Sequence, residues 1–290
     1  LKPTPKDQMF EEPEAANSNE KEMSFFDHLE ELRWHVIRVL SSIAVFGLIA
    51  FFMKSTVMAI ILGPMQPDFL TYEKFCELSH FVGLGDRGCI TPAQFTLEFR
   101  NLPDAFFLHL KVSFFIGLIF SFPYLLWELW RFISPGLYDH ERNQTRGIVL
   151  FGSVLFLTGA AFGYFFLAPF GVNFFANYTL ADVIVKDFTI ESYISIVTSV
   201  TFAAGMLFEL PIVILLLAKI GVLSSSILRE YRRHAFVAVL IVSAILTPAD
   251  PFSQVFVSIP VYFLYEFSIL LAEREEKKRA KQERAESAIR

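Results

Sequence analysis

ISIVTSVTFAAGMLFELPIVILLLAK, residues 194–219, holds one carboxylate, Glu209, and one ammonium, Lys219, in an otherwise uncharged run. Wound as a helix, residues 194–217 make a rod about 36 Å long, enough to cross a hydrocarbon core about 30 Å thick. Working outward from it, the same apolar density recurs over residues 36–53, 106–127 and 148–168. Two shorter runs follow at 235–246 and 252–272, separated by Thr-Pro-Ala-Asp-Pro at 247–251. Across the 290 residues, 54% are hydrophobic, 19% are charged and 34 are Phe, a balance that excludes an ordinary soluble enzyme. The excess of acids, 30 against 25 bases, weighs against a nucleic-acid partner.

The segments between the runs are polar. Residues 1–23 are rich in Glu, Pro, Asn and Lys and lack the apolar core of a signal peptide, so a disordered head is expected. From Ser24, Phe25, Phe26, Leu29, Leu32, Val36 and Val39 recur at helical spacing with Asp27, Glu30, Glu31 and Arg33 between them. That pattern predicts an amphipathic helix lying at the membrane surface, with Ser24 and Asp27 near its start. Residues 54–105 form a long connector with several Pro and Gly and both cysteines, Cys76 and Cys89. Residues 273–290 form a charged tail.

Of the 25 Lys and Arg residues, 19 fall in the head, the 127–147 and 219–234 segments and the tail, and 5 fall in the alternate connectors; Lys111 lies within a run. The positive-inside rule therefore predicts an all-α integral membrane protein with six transmembrane helices, N-in/C-in, the fifth and sixth short, behind an N-terminal amphipathic interfacial helix. The pair 235–246 and 252–272 also reads as a re-entrant hairpin, which leaves the topology unchanged. Both cysteines then lie on the outer side of the membrane, where in a bacterial envelope a Cys76–Cys89 disulfide can persist; two unlinked thiols are the alternative. No HExxH, GxSxG, phosphate-binding or dinucleotide-binding pattern is present, so no catalysis, cofactor or metal is expected. His28, His35, His140 and His234 read as polar decoration near the headgroups.

The carboxylates carry the functional reading. Glu209 sits about 15 Å from the cytoplasmic end of its span, where an acid persists only if neutral, paired or facing a polar cavity. Pro211, two residues on, removes a helix hydrogen bond and leaves a carbonyl seeking a partner. At the cytoplasmic face, Glu30, Glu31 and Glu141 bring acids from two parts of the chain to an otherwise basic surface. Each can take a guanidinium from a ligand, or pair internally with Arg33, Arg142 or Arg146.

Four segments, HLEELR at 28–33, FISPGLYDHER at 132–142, FELP at 208–211 and TPADPFSQ at 247–254, together resemble, in order, the signatures of the TatC family, the multispanning receptors of the twin-arginine protein translocase. The resemblance runs from Ser24 to Ala272. It implies that Glu31 and Glu141 help bind the consecutive arginines of a signal peptide, with Arg33, Phe132, Pro135 and Leu137 completing the recognition surface. It implies that Glu209 is a polar contact inside the membrane, and that Thr247 and Gln254 form a polar patch receiving single-span partners of the TatA or TatB type. It further implies residence in the cell inner membrane, an oligomeric assembly with those partners, and export of folded cargo driven by the proton-motive force. Ala249 stands where the family often has a second proline, with Pro251 after Asp250 instead, and the 54–105 connector is long. The rival readings are a proton- or ion-coupled secondary transporter using Glu209, and a structural scaffold.

Overall fold

The computed structural model describes residues 25–83, 85–89, 92–93, 95–133, 145–179, 181, 186–246 and 251–289. The expected head at 1–23 lies outside them. The chain begins as α1, Phe25–Phe52, a single helix of 28 residues. The surface helix and first span expected as separate elements are therefore one rod, because no Gly or Pro interrupts residues 25–46.

The connector carries α2 (Lys54–Leu62) and α3 (Leu70–Phe81), divided by the Gly63–Met65 turn that Pro64 starts. Tyr72 of α3 donates to the Pro64 carbonyl at 2.9 Å, and burial pushes its hydroxyl up to about 12, so the donor proton stays in place at any physiological pH. Strand β1, Leu97–Glu98, pairs in parallel with β2, Phe188–Thr189, clasping two connectors at the same end of the molecule.

α4, Asp104–Ile133, runs six residues beyond the expected end at 127 and includes Glu128. α5 (Thr145–Phe162), a π-helical turn (Gly163–Leu167) and α6 (Ala168–Asn177) follow one another without a break. The wide turn accommodates Pro169, which lacks an N–H, so the helix outlasts the boundary expected at 168. α7 (Ile190–Phe208) and α8 (Leu210–Lys219) are separated at Glu209. A short α9 (Ser225–Glu230), capped by Ser224, leads into α10 (Arg232–Leu246) and α11 (Pro251–Ile289).

Among the described residues, five helical segments are long and apolar enough to cross a membrane: Glu30–Phe52, Asp104–Ile133, Gly147–Asn177, Ile190–Lys219 and Gln254–Lys278. α10, at 15 residues, covers only about 22 Å. The sixth helix is not short, contrary to expectation. α11 runs for 39 residues, on past the apolar run into the charged tail, where Glu273–Lys277 and Glu275–Lys278 pair along the helix; within the run, Glu266 accepts from Arg232 Nη2 of α10 at 2.7 Å and from Tyr262 OH at 3.1 Å.

Small residues set the packing. α1 and α4 run antiparallel, and a Cβ on Gly117 would meet the Ile43 carbonyl and the Gly47 nitrogen at 2.7 Å. α5 and α7 close the same way: a Cβ on Gly159 would lie 2.6 Å from Phe208, and one on Gly163 would lie 2.8 Å from Thr201 Cα. Such contacts bring backbones close enough for dispersion to hold helices together where lipid offers no hydrophobic drive. The outer faces stay apolar, with Leu40, Leu48, Phe114, Leu150, Val154 and Leu270 each more than half exposed. Together with the apolar helices, this surface marks a multi-pass membrane protein.

Candidate functional site

Where α1 begins and α4 ends, helical spacing assembles a polar stripe. Glu31 and His35 lie four apart on α1 and Arg38 three further on, so all three share one face. That face meets the last turns of α4. His35, 6% exposed, donates from Nδ1 to Glu128 Oε2, and Glu128 is 3% exposed. Tyr124 OH donates to the other carboxylate oxygen at 2.9 Å, and Arg38 Nη1 stands 3.6 Å away. His35 is therefore a buried partner in a four-residue network and not the headgroup decoration expected of it.

One turn beyond, Phe132 packs its ring edge to face with His35, centroids 5.9 Å apart. Leu32, Val36, Leu125 and Phe132 with the His35–Glu128 pair line a groove of about 180 Å³. Glu31 is half-buried and Arg33 exposed, and among the described residues neither makes an ion pair, so the expected alternative of a Glu31–Arg33 bridge is not formed. Glu30 is exposed. Pro135, Leu137 and Glu141 lie outside the described residues, as do Arg142 and the side chain of Arg146.

Glu209 occupies the break between α7 and α8. Its N–H reaches Met206 O at 3.2 Å and its carbonyl accepts from Ile212 and Val213, which closes the turn that Pro211 would leave open. The side chain is 6% exposed, and neither carboxyl oxygen finds a hydrogen-bond partner among the described residues. It is aimed at α5, where a Cβ on Gly152 would come within 3.2 Å of Oε2. An acid in that position has been taken from water without compensation from the described residues around it.

Gln254 is half-buried and donates to the Leu240 carbonyl at 3.2 Å, tying the start of α11 to α10. Thr247 lies outside the described residues. Cys76 and Cys89 are joined in a disulfide at the opposite end of the bundle, their Cα atoms 4.4 Å apart.

Residues 27–260 match the family model for the Sec-independent protein translocase protein, TatC. The chain belongs to the TatC family. A TatC from Blattabacterium is 35% identical over 257 residues, covering 88% of this chain and 97% of that protein. The TatCy protein of Bacillus subtilis is 28% identical over 268 residues, covering 92% of this chain and 96% of its own. A crystal structure of the twin-arginine translocase receptor TatC superposes with a TM-score of 0.63 at 29% identity, covering 86% of this chain and 99% of the other. The protein is thus a TatC-family subunit of the Sec-independent translocase, a transport component that works in a complex.

Within this TatC fold, two charged residues escaped sequence reasoning. Glu128 is hidden because the apolar run reads as ending at Trp127; an acid four residues after Tyr124 is its only local sign. Lys219 looked like an ordinary interfacial base, yet it is 2% exposed, its ammonium lies 5.9 Å above the Trp130 ring, and its Nζ has no hydrogen-bond partner among the described residues.

Proposed function

We propose that this chain is the signal-peptide receptor and core subunit of a twin-arginine translocase in the cytoplasmic membrane, crossing it six times with both termini in the cytoplasm. Glu31, with Glu141, takes the paired guanidiniums of an export signal, each carboxylate offering a bidentate, charge-assisted contact at the lipid boundary. The observation that carries this is Glu31 itself: half-buried on α1, one turn from the Phe132-lined groove, and without a cation among the described residues. A carboxylate so placed gains from a ligand's charge what the described residues around it do not supply. Arg33, Phe132, Pro135 and Leu137 belong to the same surface.

In the second stage Glu209, Thr247 and Gln254 receive a polar residue of a TatA- or TatB-type helix, and the proton-motive force drives passage of folded cargo. The unpartnered carboxyl of Glu209 supports this reading, since a neighbouring helix can complete what α5, α7 and α8 leave undone. The test is photocrosslinking of an export signal to the full chain in membranes, comparing Arg-Arg with Lys-Lys versions. Strong labelling by the first, lost in Glu31→Ala with Glu141→Ala, is expected. Equal labelling by both, or labelling indifferent to the substitutions, overturns the receptor role. Proton-coupled uptake of a small solute by this chain alone would instead establish the transporter.

A further inference from the structure

The disulfide is surrounded by more chemistry than a covalent staple needs. Cys76 and His80 are four residues apart and face the same way from α3. Gly83 at φ 82° and Gly85 at φ 57° take left-handed conformations that reverse the chain after that helix, and the 3₁₀ turn Gly85–Gly88 brings Cys89 back beside it. Two hydrogen bonds fix the return: Ser79 Oγ donates to the Gly85 carbonyl at 2.6 Å, and Cys89 N–H to the Asp86 carbonyl at 3.2 Å. The two sulfurs and a ring nitrogen of His80 consequently lie within 4.8 Å of one another. His80 Nε2 is 3.8 Å from Cys89 Sγ and 3.1 Å from an oxygen of Asp86.

We propose that Cys76, His80 and Cys89 form a redox-gated site for a borderline-soft divalent cation, zinc by its ligand preference, which is open only when the disulfide is reduced. Two thiolates and an imidazole from a C-x3-H helix and a following tight turn supply three of four tetrahedral positions, and water takes the fourth. Asp86 lends its negative charge to the same point. In the opening step a dithiol reductant becomes its own disulfide and passes two electrons and two protons to Cys76 and Cys89. The cation then displaces both protons and binds the thiolates, so metal binding and disulfide exclude one another. The site stands apart from the recognition surface and from Glu209, at the far end of α1, and does not depend on the proposed receptor role.

Cobalt(II) is the probe, titrated into the full chain in detergent micelles with and without prior reduction by a phosphine removed before the metal is added. The reduced protein is expected to take one equivalent per chain with a thiolate-to-metal charge-transfer band, and the oxidised protein to show none. His80→Ala, which keeps both cysteines, should weaken binding by about 10- to 100-fold or more. Cys76→Ser with Cys89→Ser should abolish the band. No charge-transfer band in the reduced protein, equal affinity in His80→Ala, or equal binding to the oxidised chain would overturn the site.

Discussion

His35 of α1 and Glu128 of α4 are hydrogen-bonded across the helix interface with both side chains less than one-tenth exposed. Removing one partner strands the other, but not symmetrically. Glu128 retains Tyr124 and Arg38 when His35 is lost, whereas His35 retains no other hydrogen-bond partner among the described residues. Glu128→Leu, which takes the shared acceptor from His35, Tyr124 and Arg38, is therefore expected to cost about 1–3 kcal/mol, and His35→Leu less. The double variant should recover part of the loss, because two apolar side chains need no partner. Thermal unfolding of the three variants in micelles checks this; simple additivity would show that the pair is not coupled.

Glu209→Leu should separate stability from function. Burying a carboxyl without a hydrogen bond is unfavourable, so replacing it by a side chain of similar bulk should stabilise the isolated chain by about 1–3 kcal/mol. On the proposed role, the same variant loses export of a twin-arginine reporter. An unchanged or lower Tm would reveal a partner for the carboxyl in the isolated chain.

Gly117→Ala tests the close approach of α1 and α4. The new methyl would meet backbone atoms of Ile43 and Gly47 at 2.7 Å, which cannot swing aside as a side chain would. A loss of about 1–3 kcal/mol is expected from overpacking. Gly147→Ala on α5 meets nothing within 4 Å and should be neutral or slightly stabilising, since alanine is the better helix former. Equal Tm values for the two would remove the packing argument.

The Cys76–Cys89 bridge closes a loop of 13 residues in sequence separation, so its loss should release about 3 kcal/mol of constraint on the unfolded chain. The effect should stay at the end formed by α2, α3 and the β1–β2 pair. Hydrogen exchange of the double Cys→Ser variant is expected to rise in α3 and leave the His35–Glu128 end unchanged. Protection lost uniformly would mean that the cap and bundle unfold as one unit.

Hydrogen exchange also reports on Gln254. Gln254→Leu removes a bond of about 1 kcal/mol to the Leu240 carbonyl, so the end of α10 should exchange faster while α1 does not. No change in α10 would show that the Arg232–Glu266 pair and the packing of Val239 on Val257 and Val261 hold the hairpin without Gln254.

The apolar runs and the four signature segments were legible in the chain alone, because hydrophobicity and helix breaking are properties of neighbouring residues. Even so, the boundaries moved wherever a distant group intervened. Glu128, held by His35 of α1, lies within α4 beyond the end expected at 127, and the wide turn at Gly163–Leu167 lets Pro169 continue a helix that local rules would end. Of the proposed recognition residues, Glu31, Arg33 and Phe132 could be named from motifs, but nothing local announced that His35 would be buried against an acid 93 positions away. The sequence by itself determined which segments enter lipid and where a carboxyl is stranded among them, since both follow from transfer energies along a short stretch. Only the tertiary structure decided which charges find one another, which glycines touch and how Cys76, His80 and Cys89 converge. Those outcomes depend on the crossing of helices and the reversal of a loop, which no window of residues contains.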